Sequence, residues 1–212
     1  MQAVQHNFRH EKYMRMALKL AEKGRGLPSP NPMVGAVVVR GNKIIASGYH
    51  KKAGTAHAEI AALKKAGAQA RGAELYVTLE PCGFFGKTPP CTDAIIKAGI
   101  KKVFIAAKDP NPLNNGKGMR ILRKHGIEVE AGVLQGQSRK LNEIFEKYIT
   151  TKMPFVILKM AQSLDGKIAV KTGESKWISC EKSRGLVHKL RKQVDAVMVG
   201  ANTAHLDKPR FK

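Results

Sequence analysis

Between Phe8 and Gly24 the apolar residues Met14, Ala17, Leu18 and Ala21 recur at helical spacing, and Gly24 supplies a stop, so the pattern predicts an opening helix. "PSPNP" then imposes an extended, turn-like entry. "MVGAVVV" and "KIIASGY" flank "RGN" and read as two strands joined by a tight hairpin. From there the pattern alternates: "HAEIAALKKAG" as helix, "AELYVTL" as strand, a Gly/Pro-rich loop, "TDAIIKAG" as helix and "KKVFIAA" as strand. "GKGMRILRKHG" (helix), "IEVEAGV" (strand) and a polar helix, "GQSRKLNEIFEKYITT", follow. A hairpin followed by such alternation predicts an α/β layered domain with helices on both faces of one sheet.

Met153-Pro154 reads as a boundary between a domain over 1–150 and a second unit over 154–212. In the second unit "FVILKMA" and "DAVMVG" are expected as strands, with a helix at "CEKSRGLVHKLRKQ" between them. Roughly sixty residues with two strands and one helix bury too little surface to hold a core of their own. This piece is therefore expected to dock on other structure or to be the opening of something larger.

Composition changes this picture little. A hydrophobic content of 43% supports a core, and no apolar run reaches membrane-spanning length. The N-terminus has charges scattered through it and resembles no secretory signal, which with three cysteines predicts a reducing, cytoplasmic setting. The formal charge of +22 attracts polyanions or phosphorylated small molecules. The lysines are spread over polar faces, with no block of five or six together, so nucleic acid is not the expected partner.

Chemistry concentrates in two places. "TAHAEIAAL" sets His57 and Glu59 at a helix start, and "LEPCGFFGKTPPC" holds Cys82 and Cys91 with eight residues between them. One imidazole and two thiolates make a three-ligand zinc set with an open fourth position, as catalytic zinc requires. Glu59 is left over, and a carboxylate beside a metal-activated water can take its proton and return it to a leaving group. Residues i and i+2 of a regular helix point about 200° apart, so His57 and Glu59 can share a site only where the helix begins. Cys180 lies apart and is expected to be a buried or half-exposed free thiol. His6, His10, His125, His188 and His205 are expected at the surface, and Gly35, Gly54 and Gly99 read as turn or packing glycines.

His-Ala-Glu followed by Pro-Cys and a further Cys is similar to the zinc nucleobase deaminase signature, in which the Glu shuttles protons and is not a ligand. "PNPMVGAVVV", "GYHKKAGTAHAE", "YVTLEPC", "GKTPPC" and "DPNP" together resemble the deaminase domain of the bifunctional riboflavin-biosynthesis deaminase/reductases. "LKMAQSLDGKIA", "GESKWIS" and "DAVMVGANTAHLDKPRF" resemble the opening of that family's reductase domain. The resemblance implies a three-layer α/β/α cytidine-deaminase-like domain with a mixed sheet, then the N-terminal part of a dihydrofolate-reductase-like α/β domain. It implies zinc on His57, Cys82 and Cys91, Glu59 as catalytic acid/base, and Asn31, His50 and Lys87 lining the substrate pocket. For the reductase it implies Ala161, Trp177, Thr203 and Asp207 toward NADPH, and Ser175, Arg191 and Phe211 toward substrate.

The implied reactions are hydrolytic deamination of a phosphoribosylated diaminopyrimidine and NADPH-dependent reduction of the resulting ribosylaminouracil. Two departures accompany the resemblance. Gly83 and Phe84 stand where the family has a Ser-His pair, and most of the family's cofactor-binding sheet is missing, so this chain alone is not expected to complete the reduction. Self-association is a further expectation. The rival readings are a nucleoside or tRNA deaminase, opposed by the wide cysteine spacing, and a non-catalytic zinc-stabilised scaffold or RNA-binding module, for which Glu59 has no use.

Overall fold

The structure, a computed structural model, describes residues 2–86 and 88–209. It divides into two compact units, Met1–Phe155 and Val156–Lys212.

Unit one is built on five strands in the order β2-β1-β3-β4-β5. β1 (Gly35–Arg40) and β2 (Lys43–Tyr49) form the expected hairpin. Its two-residue turn is closed by the Arg40–Lys43 pair, and Gly41 takes a positive φ of 62° there. β1 pairs antiparallel with β3 (Glu74–Leu79), which runs parallel to β4 (Lys102–Ala107) and then β5 (Glu128–Ala131). The inner strands are near-continuous apolar runs because helices cover both their faces, whereas the edge strands β2 and β5 stay partly exposed.

One face carries α2 (Ala58–Ala66), α3 (Cys91–Lys97) and α4 (Lys117–Lys124). Ala62, Leu63, Ile95 and Leu122 pack there against Val38, Leu75, Val77, Val103 and Ile105. α1 (Gln2–Glu22) lies on the other face, with Tyr13, Met14, Ala17 and Leu18 against Val37, Val39, Tyr76 and Phe104. His10 corrects the surface expectation: it is 2% exposed, stacks on Phe104 at 4.1 Å and pairs with the Tyr76 hydroxyl at 2.8 Å. The polar helix expected over 136–151 is broken in two, α5 (Gln135–Leu141) and α6 (Glu143–Thr151). The break is Asn142, whose buried amide accepts from Met33 N–H (2.8 Å) and donates to the Met33 carbonyl (2.9 Å). A tertiary backbone partner thus replaces a continuous helix at that residue.

β2 runs antiparallel to β1, and β1 antiparallel to β3, so β2, β3 and β4 all point the same way. The segments leaving their C-terminal ends, and the segment entering β1, gather at one edge of the sheet. Open α/β sheets place their ligands at such an edge.

In unit two the helices are α7 (Glu181–Arg191) and α8 (Ala201–Asp207), the second not foreseen from the pattern. The two expected strands do not form: residues 154–162 and 196–200 carry no ladder and are almost wholly exposed. An apolar run becomes a strand only beside a hydrogen-bonding neighbour, and no described strand pairs with either run. Cys180 is exposed and not half-buried, bonded through sulfur to the Ser183 hydroxyl at 3.3 Å.

Candidate metal centre

His57 is the residue immediately before α2, with extended backbone (φ −65°, ψ 162°), and Glu59 is the second residue of the helix. The helical wheel therefore does not govern their relative direction, which removes the i, i+2 obstacle. Cys82 lies three residues beyond β3, and Cys91 opens α3. The eight residues between the cysteines leave and return to one point: Cys91 N–H donates to Cys82 Sγ (3.2 Å), and Thr92 N–H to the Cys82 carbonyl (3.2 Å). Loop length is thereby decoupled from ligand geometry.

The ligand atoms of His57, Cys82 and Cys91 lie within 4.8 Å of one another. His57 Nδ1 faces both sulfurs, 3.2 Å from Cys91 Sγ and 3.7 Å from Cys82 Sγ. Hydrogen bonding from Cys91, aided by His57, pulls the Cys82 thiol down to about 4. The same pairing, with burial, pushes the Cys91 thiol well above its ordinary range. Between themselves the two sulfurs support a single thiolate. A divalent cation among the three donors would hold both ionised, and imidazole with two thiolates suits zinc. The donor set fits that metal.

Glu59 is 3% exposed, and burial raises its carboxyl, with the His57 charge opposing. A carboxyl raised in this way, beside the donor cluster, is placed to exchange protons with a reacting group there. His50 follows β2 directly and stands edge-on to His57, with ring centroids 5.3 Å apart. Its Nδ1–H donates to the Ala56 carbonyl (3.2 Å), leaving Nε2 to accept from the Asn31 amide at 3.3 Å. Burial lowers the His50 pKa, in keeping with a neutral ring.

The structure thus gathers Asn31, His50, His57, Glu59, Cys82 and Cys91. Lys87 and Phe211 lie outside the described residues, as do the side chains of His6 and Asp207. In unit two Ala161 is half-buried, while Ser175, Trp177 and Thr203 are exposed and Arg191 ends α7. Trp177 carries the Arg184 guanidinium over its ring at 4.3 Å.

The residue reading passed over Glu80, Asp109 and Asn114, all buried beside the cysteine loop. Glu80 accepts from the N–H groups of Asp109 (3.1 Å), Gly116 (2.9 Å) and Met119 (3.2 Å). A carboxylate closing the apolar run "LYVTLE" was the available signal, since buried charge demands partners.

A mixed sheet with an imidazole, two thiols and a buried glutamate at one edge defines a deaminase-type zinc-binding domain. The comparisons agree: residues 8–107 match the "Cytidine and deoxycytidylate deaminase zinc-binding region" family, and residues 154–212 match the "RibD C-terminal domain". The chain is 56% identical to the riboflavin biosynthesis protein RibD of Aquifex aeolicus over 94% of its own length and 56% of that protein's. A solved Acinetobacter baumannii RibD superposes with a TM-score of 0.92 at 46% identity, over 97% of this chain and 58% of that one. The diaminohydroxyphosphoribosylaminopyrimidine deaminase/5-amino-6-(5-phosphoribosylamino)uracil reductase of Thermotoga maritima gives 0.91 at 51% identity, over 96% and 59%. Along nearly its whole length the chain is similar to the RibD riboflavin-biosynthesis proteins, and it spans a little over half the length of these relatives.

Proposed function

We propose that this chain hydrolyses the amino group at C2 of 2,5-diamino-6-(5-phosphoribosylamino)pyrimidin-4-one, releasing ammonia. The observation that carries the reading is the buried Glu59 beside three metal-type donor atoms gathered within 4.8 Å. Zinc, held by His57, Cys82 and Cys91, supplies the Lewis acidity that makes water nucleophilic near neutral pH. Glu59 removes a proton from the attacking water and passes it to the ring nitrogen, then delivers the second proton to the departing amine. The water oxygen bonds to C2, the C2–N bond breaks, and ammonia leaves. Asn31 and His50 line the approach, with His50 as a neutral acceptor, and Lys87 belongs to the substrate pocket by its place in the motif. A basic chain suits this small anionic substrate without a polymer partner.

The family's second step, NADPH-dependent reduction, belongs to the domain that opens at 154. Ala161, Trp177, Thr203 and Asp207 on the cofactor side, and Ser175, Arg191 and Phe211 on the substrate side, rest on motif alone. Among the described residues no helix is long and apolar enough to cross a membrane; a cytoplasmic setting is part of the proposal.

The deciding assay measures ammonia release from the diaminopyrimidine phosphate, cytidine and a tRNA with the same zinc-loaded protein. Turnover of the first alone is expected. Turnover of cytidine or tRNA in its place would replace this reading with that of a nucleoside or tRNA deaminase.

A further inference from the structure

Cys82 is bracketed by a single buried side chain. Asn114, in the loop after β4, is 1% exposed. Its Oδ1 accepts from Gly83 N–H (2.9 Å), and its Nδ2 donates to the Pro81 carbonyl (3.2 Å) and to Asp109 Oδ2 (3.1 Å). Pro81 and Gly83 are the two chain neighbours of Cys82, so one carboxamide grips the peptide groups on either side of it. The backbone partners set the direction of that amide, because an N–H only donates and a carbonyl only accepts.

Asn114 is itself held in place. Its loop wraps the Glu80 carboxylate through the N–H groups of Asp109, Gly116 and Met119. The tie is reciprocal: Glu80, at the end of β3, reaches into the β4 loop, and Asn114 reaches back from that loop to the β3 exit. Gly83 completes the packing. A Cβ there would stand 2.8 Å from Ile121 Cδ1 and 3.2 Å from Gly118 Cα, so the peptide after Cys82 lies against the first turn of α4. These contacts leave the Cys82 backbone one arrangement, although its sulfur faces the cluster.

Resting on the zinc reading above, we infer that Asn114 is a positioning residue for the metal centre, fixing the direction of Cys82 Sγ before a metal arrives. A ligand with a loose backbone must be ordered on binding, which costs affinity, and partners that orient a ligand are typically worth about ten- to a hundred-fold in metal binding. Asn114 touches no donor atom in the hydrogen bonds named above. Its effect passes entirely through the peptides flanking Cys82.

The test uses the full chain as parent, Asn114→Ala and Asn114→Asp. Zinc affinity is read by competition with a chromophoric chelator, ligand geometry by the visible spectrum after Co(II) substitution, and folding by circular dichroism. Asn114→Ala is expected to keep the native fold, bind zinc about ten- to a hundred-fold more weakly and shift the Co(II) bands. Asn114→Asp keeps an acceptor for Gly83 N–H but loses the donor to Pro81, and should fall between. Parent-like affinity and an unshifted spectrum in Asn114→Ala overturn the inference. Should that variant fail to fold, Asn114→Asp decides by the same two readouts: weakened and shifted supports the inference, parent-like overturns it. A parent that binds no zinc overturns the metal reading and the inference together, whereas a zinc-binding parent with unaffected variants overturns the inference alone.

Discussion

In the proposed mechanism the chemistry turns on Glu59, which is buried beside the cluster of three metal-type donors. Glu59→Gln keeps the shape and removes the proton shuttle. Ammonia release should fall by about 10²–10⁴-fold while zinc stoichiometry and thermal midpoint stay at parent values. Loss of zinc in that variant would mean that the carboxylate serves the metal and not the proton. Asp109 offers a pH prediction. Burial lifts its carboxyl to about 6 from the usual 3.8, so between those values the folded chain holds a proton that the unfolded chain has lost. The stability tied to this group is full below pH 3.8 and is lost as pH rises through 6, on the order of 3 kcal/mol. Urea unfolding of the parent between those pH values should therefore show a downward slope that Asp109→Asn flattens, whatever the variant's absolute stability. Equal slopes in the two proteins would contradict the assignment. Both residues could be picked out by type, but only the fold shows that they are buried.

At the level of elements, the site depends on how closely α2 lies against β2. A Cβ on Gly48 would stand 2.6 Å from the Ala58 carbonyl oxygen and 2.7 Å from Ala62 N, so the helix backbone occupies the space a side chain would need. Gly48→Ala should push α2 outward, costing about 1–3 kcal/mol and carrying His57 and Glu59 away from the cysteines. Urea unfolding and chelator competition check the two effects, and unchanged zinc affinity would show that the ligands do not depend on this contact. Most elements of unit one were legible, because "GAVVVR", "ELYVTL" and "KVFIAA" are apolar runs of strand length between turn residues. The break at Asn142 was not, since its cause is Met33, 109 residues away. Burial of His10 was equally invisible: a polar residue near the start of a helix reads as surface until Tyr76 and Phe104 are known to lie beneath it.

At the scale of the whole molecule, the two units differ in what they can do. Unit one has a covered sheet and a gathered site. Unit two presents its apolar runs, Val156–Leu158 and Val197–Val199 among them, to solvent. The chain is expected to release ammonia from the diaminopyrimidine phosphate yet cause no loss of NADPH absorbance when given the aminouracil product. Steady NADPH oxidation by the purified chain would show that the unpaired segments assemble a working cofactor site. Zinc removal should abolish ammonia release, with restoration on adding the metal back.

The sequence by itself determined the candidate ligand types, their order along the chain, the alternation of strands and helices in unit one and the resemblance to RibD proteins. Those features are local in spacing or rest on side-chain chemistry. Tertiary structure alone decided that the C-terminal ends of β2, β3 and β4 share one edge, bringing together residues as far apart as Asn31 and Asn114. It decided that an eight-residue loop closes on itself through Cys91 N–H and Cys82 Sγ. It also decided that Asn114 spends its polar atoms holding the peptides on either side of Cys82, while Glu80 holds the loop that carries Asn114. The reason is the same in each case: a buried polar group must find its partner in space, and chain separation says nothing about where that partner lies.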